Sequence, residues 1–177
     1  MAYIKKYTIN FRALETGTYH FTFEIEDQFF AYFEKSEIQK GRLSAAVELI
    51  KEERLITLNI EINGEVSVLC DRCLEYFMYP LHFSGNLYIK EEEEIAEKSE
   101  EVIKIGAEES HINLAQYFYE SIHLTLPLKR THPEDKKGNS TCNQEMIDLI
   151  RQHQQRGGRN TIDPRWEKLK NIHVKRN

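Results

Sequence analysis

Residues 56–70 read ITLNIEINGEVSVLC, and this stretch decides the fold. Ile56, Leu58, Ile60 and Ile62 alternate with polar neighbours, the period-two pattern of a strand with one buried face. Val66 and Val68 resume an alternation that ends at Cys70. Between the runs stands Asn63-Gly64, a dipeptide suited to the type I′ turn because both central residues there need positive φ. The stretch is therefore expected to be a β-hairpin.

Upstream, Leu43, Ala45, Val47 and Leu49 form an alternating segment, separated from residue 56 by the polar pair Glu52-Glu53. Downstream, residues 77–83 and 85–90 suggest a further strand pair, with Pro80 marking an edge or bulge. Residues 3–11 and 18–26 read as two more strands joined by a link containing Gly17. In the second of them Tyr19, Phe21, Phe23 and Ile25 alternate. Phe29, Phe30 and Phe33 fit a short helix within 27–36. The middle of the chain is thus an antiparallel meander.

The C-terminal part is helical in pattern. Residues 113–124 place Leu114, Tyr117, Phe118, Ser121 and Ile122 on one stripe, with Asn113 as N-cap and Pro127 as a limit. Residues 131–143 are a polar loop, and 144–154 a second helix broken by Arg156-Gly157-Gly158-Arg159. A third helix over 164–171 has Asp163 at its N-cap and Pro164 at its first position. The fold class that follows is α+β: a twisted antiparallel sheet or partly closed β-barrel, built as a meander, with two to three C-terminal helices. One domain spans residues 1–150, and residues 151–177 form a basic tail with a short helix.

Charge divides along the same line. The formal net charge is −5, but residues 151–177 hold eight lysines and arginines against two acids, +6, leaving −11 for residues 1–150. Seven of those acids are the glutamates of 91–101, an insert that reads as a solvated loop or frayed helix preceding a short strand at 102–105. A basic tail on an acidic body suits contact with nucleic acid. Its candidates are Arg151, Arg156, Arg159, Arg165 and Lys168 for phosphates, and Trp166 for stacking on a base. Trp166 and Leu169 also have the make-up of a pair that docks the last helix on the body.

Cys70-Asp71-Arg72-Cys73 carries the clearest chemistry. Two thiols at this spacing reach one metal ion from a tight turn. The third cysteine, Cys142, lies downstream with His132 ten residues before it, and Pro133 stiffens that loop. Together they make a Cys3His set for a structural zinc, with no ligand position left open for catalysis. The metal-free alternative leaves three reduced thiols and a loop histidine. A redox pair fits less well, because the motif follows a hairpin strand rather than opening a helix. Three cysteines also argue against a secreted disulfide scaffold.

Other classes find little in the chain. No Gly-x-Ser-x-Gly, His-Glu-x-x-His or phosphate-binding loop is present. His20, His82, His111, His123, His153 and His173 are scattered. No signal-peptide pattern opens the sequence, and no run approaches the ~18 apolar residues that suggest a membrane span. The expectation is a cytoplasmic protein with no membrane partner.

Several segments line up in order. Cys70-Asp71-Arg72-Cys73-Leu74 follows a hydrophobic strand. An acidic insert comes next, then the helix bearing Glu120, then Leu126-Pro127-Leu128. The loop with His132 and Cys142 precedes Asp163-Pro164-Arg165-Trp166 and Leu169. This ordered set resembles the YceD-like family of large ribosomal RNA accumulation proteins. The resemblance implies a bacterial, non-enzymatic factor that supports 23S rRNA synthesis, processing or stability, and so large-subunit assembly. The partners it implies are 23S rRNA or its precursor, and large-subunit ribosomal proteins or assembly factors. It carries over no catalytic residue. The alternative is a zinc-stabilised protein-interaction module that binds a ribosomal protein or processing factor without touching RNA.

Overall fold

The computed structural model describes residues 3–53, 55–90, 102–104 and 109–157. The chain divides into two compact units, Met1–His132 and Pro133–Asn177.

In the first unit a 3-10 turn over Tyr3–Tyr7 leads into β1 (Thr8–Ile9), followed by β2 (Gly17–Ile25) and helix α1 (Asp27–Tyr32). Three long strands come next: β3 (Gly41–Lys51), β4 (Leu55–Leu69) and β5 (Tyr76–Lys90). Short β6 (Val102–Lys104) and β7 (Ile112–Asn113) precede helix α2 (Ala115–Thr125). The main sheet runs in the order β2-β3-β4-β5-β6, antiparallel except for the parallel β5–β6 pair, and a small ladder joins β1 to β7. The fold is α+β, and the sheet is open rather than closed into a barrel.

One face of the sheet is the core. Register stacks apolar residues in rows across the strands, such as Tyr19–Leu49–Leu58–Leu87 and Phe23–Ala45–Ile62–Phe83. Burying one such side chain contributes about 1.5–3 kcal/mol, so these rows supply much of the driving force. α2 packs on this face because Leu114, Ala115, Phe118, Ser121 and Ile122 fall on one side of it, all of them buried. Phe118 meets Tyr7 and Phe23 at ring-centroid distances of 6.1 and 5.7 Å. α2 stops where Pro127 forces Leu126 into extended backbone (ψ 137°).

Three expectations need correction. Asn63-Gly64 is no turn: β4 runs through it without a break, paired with β3 on one side and β5 on the other. Gly64 has φ +152° and lies opposite Leu43, where a Cβ would stand 2.2 Å from the Arg42 carbonyl oxygen. Glycine is there for a close backbone approach, not for a hairpin. Residues 77–83 and 85–90 are likewise one strand, β5, with Gly85 inside it. The Phe83 ring occupies the space that a side chain at Gly85 would take. Residues 3–11 are mostly a 3-10 turn. Only Thr8–Ile9 is strand, and it pairs with β7, not β2. Pro80 does sit at an edge, because β6 covers β5 only at Tyr88–Lys90.

In the second unit, a polar loop leads from Pro133 into helix α3 (Gln144–Gly157). Asp135 organises the loop: its carboxylate accepts hydrogen bonds from the backbone N–H and side-chain amide of Asn139 and from the backbone N–H of Lys137, which hold its pKa below the usual carboxylate range. Gly138 turns the chain at φ +80°. Asn143 caps α3, its side-chain oxygen accepting from the N–H groups of Glu145 and Met146. The acidic insert of 91–101 and the helix expected over 164–171 lie outside the described residues.

Candidate metal centre

The real turn between β4 and β5 is Cys70–Glu75. Cys70 N–H donates to the Glu75 carbonyl (2.9 Å) and Leu74 N–H to the Cys70 carbonyl (2.9 Å), which closes the turn. The chain reverses at Leu74 with φ +59°, a left-handed conformation uncommon for a leucine. The tight reversal points both thiols inward. Cys70 is fully buried and Cys73 is 3 % exposed.

His132 reaches the turn through a clamp of backbone bonds. Asp71 N–H donates to the Arg130 carbonyl at 2.7 Å, and Arg130 N–H donates to the Asp71 carboxylate at 2.6 Å. The Arg130 guanidinium pairs with Glu37 at 2.9 Å. Two residues on, the His132 ring lies against Phe77 (centroids 4.6 Å apart), with Nδ1 at 3.4 Å from the Cys73 sulfur. The histidine is thus held in place by its neighbours, as metal-ligating histidines commonly are.

Cys142, 7 % exposed, stands one residue before the α3 cap. Its N–H donates to the Ser140 hydroxyl, and the neighbouring Thr141 hydroxyl donates to the Pro133 carbonyl. Cys70, Cys73, His132 and Cys142 each offer one ligand atom, and the four atoms all lie within 4.8 Å of one another. Among the described residues no other group of three or more such side chains gathers in this way. All three cysteines are free thiols.

The donor set fits zinc. Tetrahedral Zn–S and Zn–N bonds imply ligand–ligand edges of about 3.5–3.8 Å, so a small contraction of the present cluster would reach them. The electrostatics favour it too. Burial alone would raise the Cys70 pKa. N–H donors from Cys73 and Arg72, with His132 alongside, outweigh that and hold the thiol at about 6. Cys70 is then a thiolate at neutral pH, the form that binds metal. A redox pair would need an exposed cysteine at a helix N-terminus. Here both thiols are buried in a strand-to-strand turn.

The positioning residues Asp71, Arg130 and Phe77 were not legible beforehand. Asp71 lies inside the Cys-x-x-Cys, but nothing in the sequence pairs it with a backbone 59 residues away. Of the RNA candidates, Arg151 is exposed on α3 and ion-paired with Asp148 at 3.3 Å. Arg156 lies on the same helix. The side chain of Arg156, and all of Arg159, Arg165, Trp166 and Lys168, fall outside the described residues. Among the other histidines, His82, His111 and His123 have hydrogen-bond partners within the fold.

Residues 58–173 match the family described as large ribosomal RNA subunit accumulation protein YceD. The matched span contains all four candidate ligands. No curated protein and no solved structure matches the chain.

Proposed function

Because the chain belongs to the family of the large ribosomal RNA subunit accumulation protein YceD, we propose that it is a non-enzymatic ribosome biogenesis factor of the bacterial cytoplasm. It supports the synthesis, processing or stability of 23S rRNA and, through that, assembly of the large subunit. The observation that carries this reading is the family match across residues 58–173 of the chain. Deleting the gene and measuring 23S against 16S rRNA, together with the subunit profile, tests it. A fall in 23S and in large subunits is the expected result, and unchanged levels of both would sink the reading.

Within that role, the Cys3His cluster holds one structural zinc. The compact donor set, the stabilised Cys70 thiolate and the braced His132 ring support this. When bound, the ion supplies a cross-link with no open ligand position, so the chain's own work at this site is orientation and burial. The basic residues Arg151, Arg156, Arg159, Arg165 and Lys168 contact RNA phosphates, giving salt-dependent affinity without sequence reading.

The charge of residues 1–150 favours a second reading. At −11 this part of the chain repels a phosphate backbone and suits a basic ribosomal protein or processing factor as direct partner. Removing residues 155–177 separates the two. RNA crosslinking collapses under the first reading, while co-sedimentation with large-subunit precursors survives under the second.

A further inference from the structure

Strand β5 leaves part of one edge open. Cys70 N–H bonds the Glu75 carbonyl, so by antiparallel alternation Phe77, Tyr79, Leu81, Phe83 and Gly85 turn their backbone groups to β4. The even-numbered residues turn theirs the other way. Pro80, which has no N–H to give, is among them. β6 covers that side only at Tyr88–Lys90. Among the described residues, nothing bonds to the outward N–H and C=O groups of His82, Ser84 and Asn86. Pro80 at one end and β6 at the other frame a window for about five residues of extended chain.

Two features make this window a docking edge rather than a guarded one. Fourteen residues, 76–89, carry no formal charge in a chain that is 30% charged. Exposed edges are ordinarily guarded by charged side chains. On the core side, Phe83 and Gly85 are only half-buried, whereas Ile62 and Ile60, their partners on β4, are fully buried. Gly85 brings no side chain of its own, and the Phe83 ring and Tyr117 hydroxyl lie beside it. A glycine in a strand suits the close approach of another backbone. The opposite edge, β2, differs: it carries Glu24, whose carbonyl accepts from the Tyr7 hydroxyl.

Charge names the occupant. The solvent face of the sheet carries Glu24, Glu48, Glu61 and Glu65, and among its described side chains only Arg42 opposes them. Glu61 and Glu65 stand opposite Ser84 and Pro80, one strand in from the open edge. An added strand beside Ser84 runs about 10 Å from the Glu61 backbone, within the combined reach of a lysine and a glutamate. We propose that β5 accepts an extended segment of a basic protein as an added strand along His82–Asn86. Its apolar side chains alternate toward Phe83 and Tyr117, and its lysines or arginines toward Glu61 and Glu65. Main-chain bonds supply the affinity and the two faces the selection. This inference rests on the second reading above, in which a basic protein is the direct partner.

The test uses the full-length protein and two synthetic peptides, acetyl-Lys-Val-Lys-Val-Lys-Val-Lys-amide and its glutamate counterpart. Amide exchange and amide NMR shifts read the site. The lysine peptide should protect the His82, Ser84 and Asn86 amides, and the glutamate peptide should bind about tenfold more weakly or worse. Ser84→Pro removes an outward N–H without touching the β4 ladder, and Glu61→Lys reverses an exposed charge. Each should weaken binding of the lysine peptide about tenfold or more. Circular dichroism checks that the variants fold, and if Ser84→Pro does not, Glu61→Lys decides. Equal binding of both peptides would overturn the proposal, as would no binding or protection elsewhere on the chain. So would slow exchange at these three amides in the free protein, because the chain or a second copy then covers the edge. An RNA that protects them in place of the lysine peptide would overturn it too. Peptide binding needs no ribosomal partner, so its failure sinks the edge. A chain that does not co-sediment with large-subunit precursors instead sinks the partner reading.

Discussion

Gly64 and Leu74 lie ten residues apart, both with positive φ, and they do opposite things. At Gly64 the chain runs straight, in the middle of a fifteen-residue strand. At Leu74 it reverses, in the turn that carries two candidate metal ligands. The glycine is required by space: a side chain there would meet the Arg42 and Leu43 backbone of β3. The leucine bears a left-handed conformation that costs about 1–2 kcal/mol, and the backbone bonds of the turn hold it there. A positive φ therefore does not of itself mark a turn. What surrounds the residue decides.

The largest test bears on what holds the Leu74 turn. If zinc cross-links Cys70, Cys73, His132 and Cys142, chelating it removes a ligand that binds only the folded state. With free zinc a thousandfold above its dissociation constant, the loss is about 4 kcal/mol. Urea denaturation with and without chelator, alongside metal analysis, measures it. One zinc per chain and a clear loss of stability are expected. A chain purified with zinc available but holding none would mean that the turn is held by its backbone bonds alone.

Gly64→Ala comes next. The new methyl would stand 2.2 Å from the Arg42 oxygen and 2.6 Å from the Leu43 Cα. Both are backbone atoms locked in the β3–β4 ladder, so they cannot yield without breaking it. Overpacking and φ strain of about 1–3 kcal/mol each put the loss at roughly 3 kcal/mol or more. A loss below about 1 kcal/mol, read from the urea midpoint, would mean that β3 and β4 are not so close at this point.

The same two positions show how much of the molecule the sequence disclosed. The buried residues of β4 are Ile56, Leu58, Ile60, Ile62, Val66 and Val68, all of one parity. In a two-residue hairpin Ile62 faces Glu65, so the inward face would switch to odd numbers after the turn. Unbroken parity therefore already spoke for one strand, and the Asn-Gly dipeptide masked it. Tyr7, Ile9 and Phe11 likewise alternate and are buried, but only Thr8–Ile9 finds a strand to pair with. A period marks which side faces the core and leaves open which strand lies alongside. The grouping of Cys70, Cys73, His132 and Cys142 was legible because thiols are scarce in this chain and their chemistry is narrow. The Asp71–Arg130 clamp was not, because it exists only once the strands and α2 have brought distant backbone together.

Protons act on the same turn. In the metal-free, reduced protein Cys70 titrates near 6, against an ordinary value of 9.0. A thiol whose folded pKa is depressed stabilises the fold fully above the unfolded pKa and loses that contribution as pH falls through the folded one. The metal-free protein should therefore gain stability from pH 6 up to 9. Thiolate absorbance with a midpoint near 6, absent in Cys70→Ser, checks the assignment. A midpoint near 9 would mean that the N–H donors of the turn do not converge on the sulfur.

The smallest effect belongs to Leu74 itself. Its side chain is 61 % exposed, so little packing is lost on truncation. Leu74→Gly relieves the left-handed strain of about 1–2 kcal/mol but adds unfolded-state freedom worth about 0.5–1 kcal/mol. The net is a gain of about 1 kcal/mol or less. Leu74→Ala keeps the strain and should change stability hardly at all. If glycine stabilises and alanine does not, the cost at this turn is conformational, and the leucine persists for a reason other than stability. If both variants destabilise alike, the exposed side chain makes a contact that the fold needs. The contrast with Gly64 would then narrow to one of crowding alone.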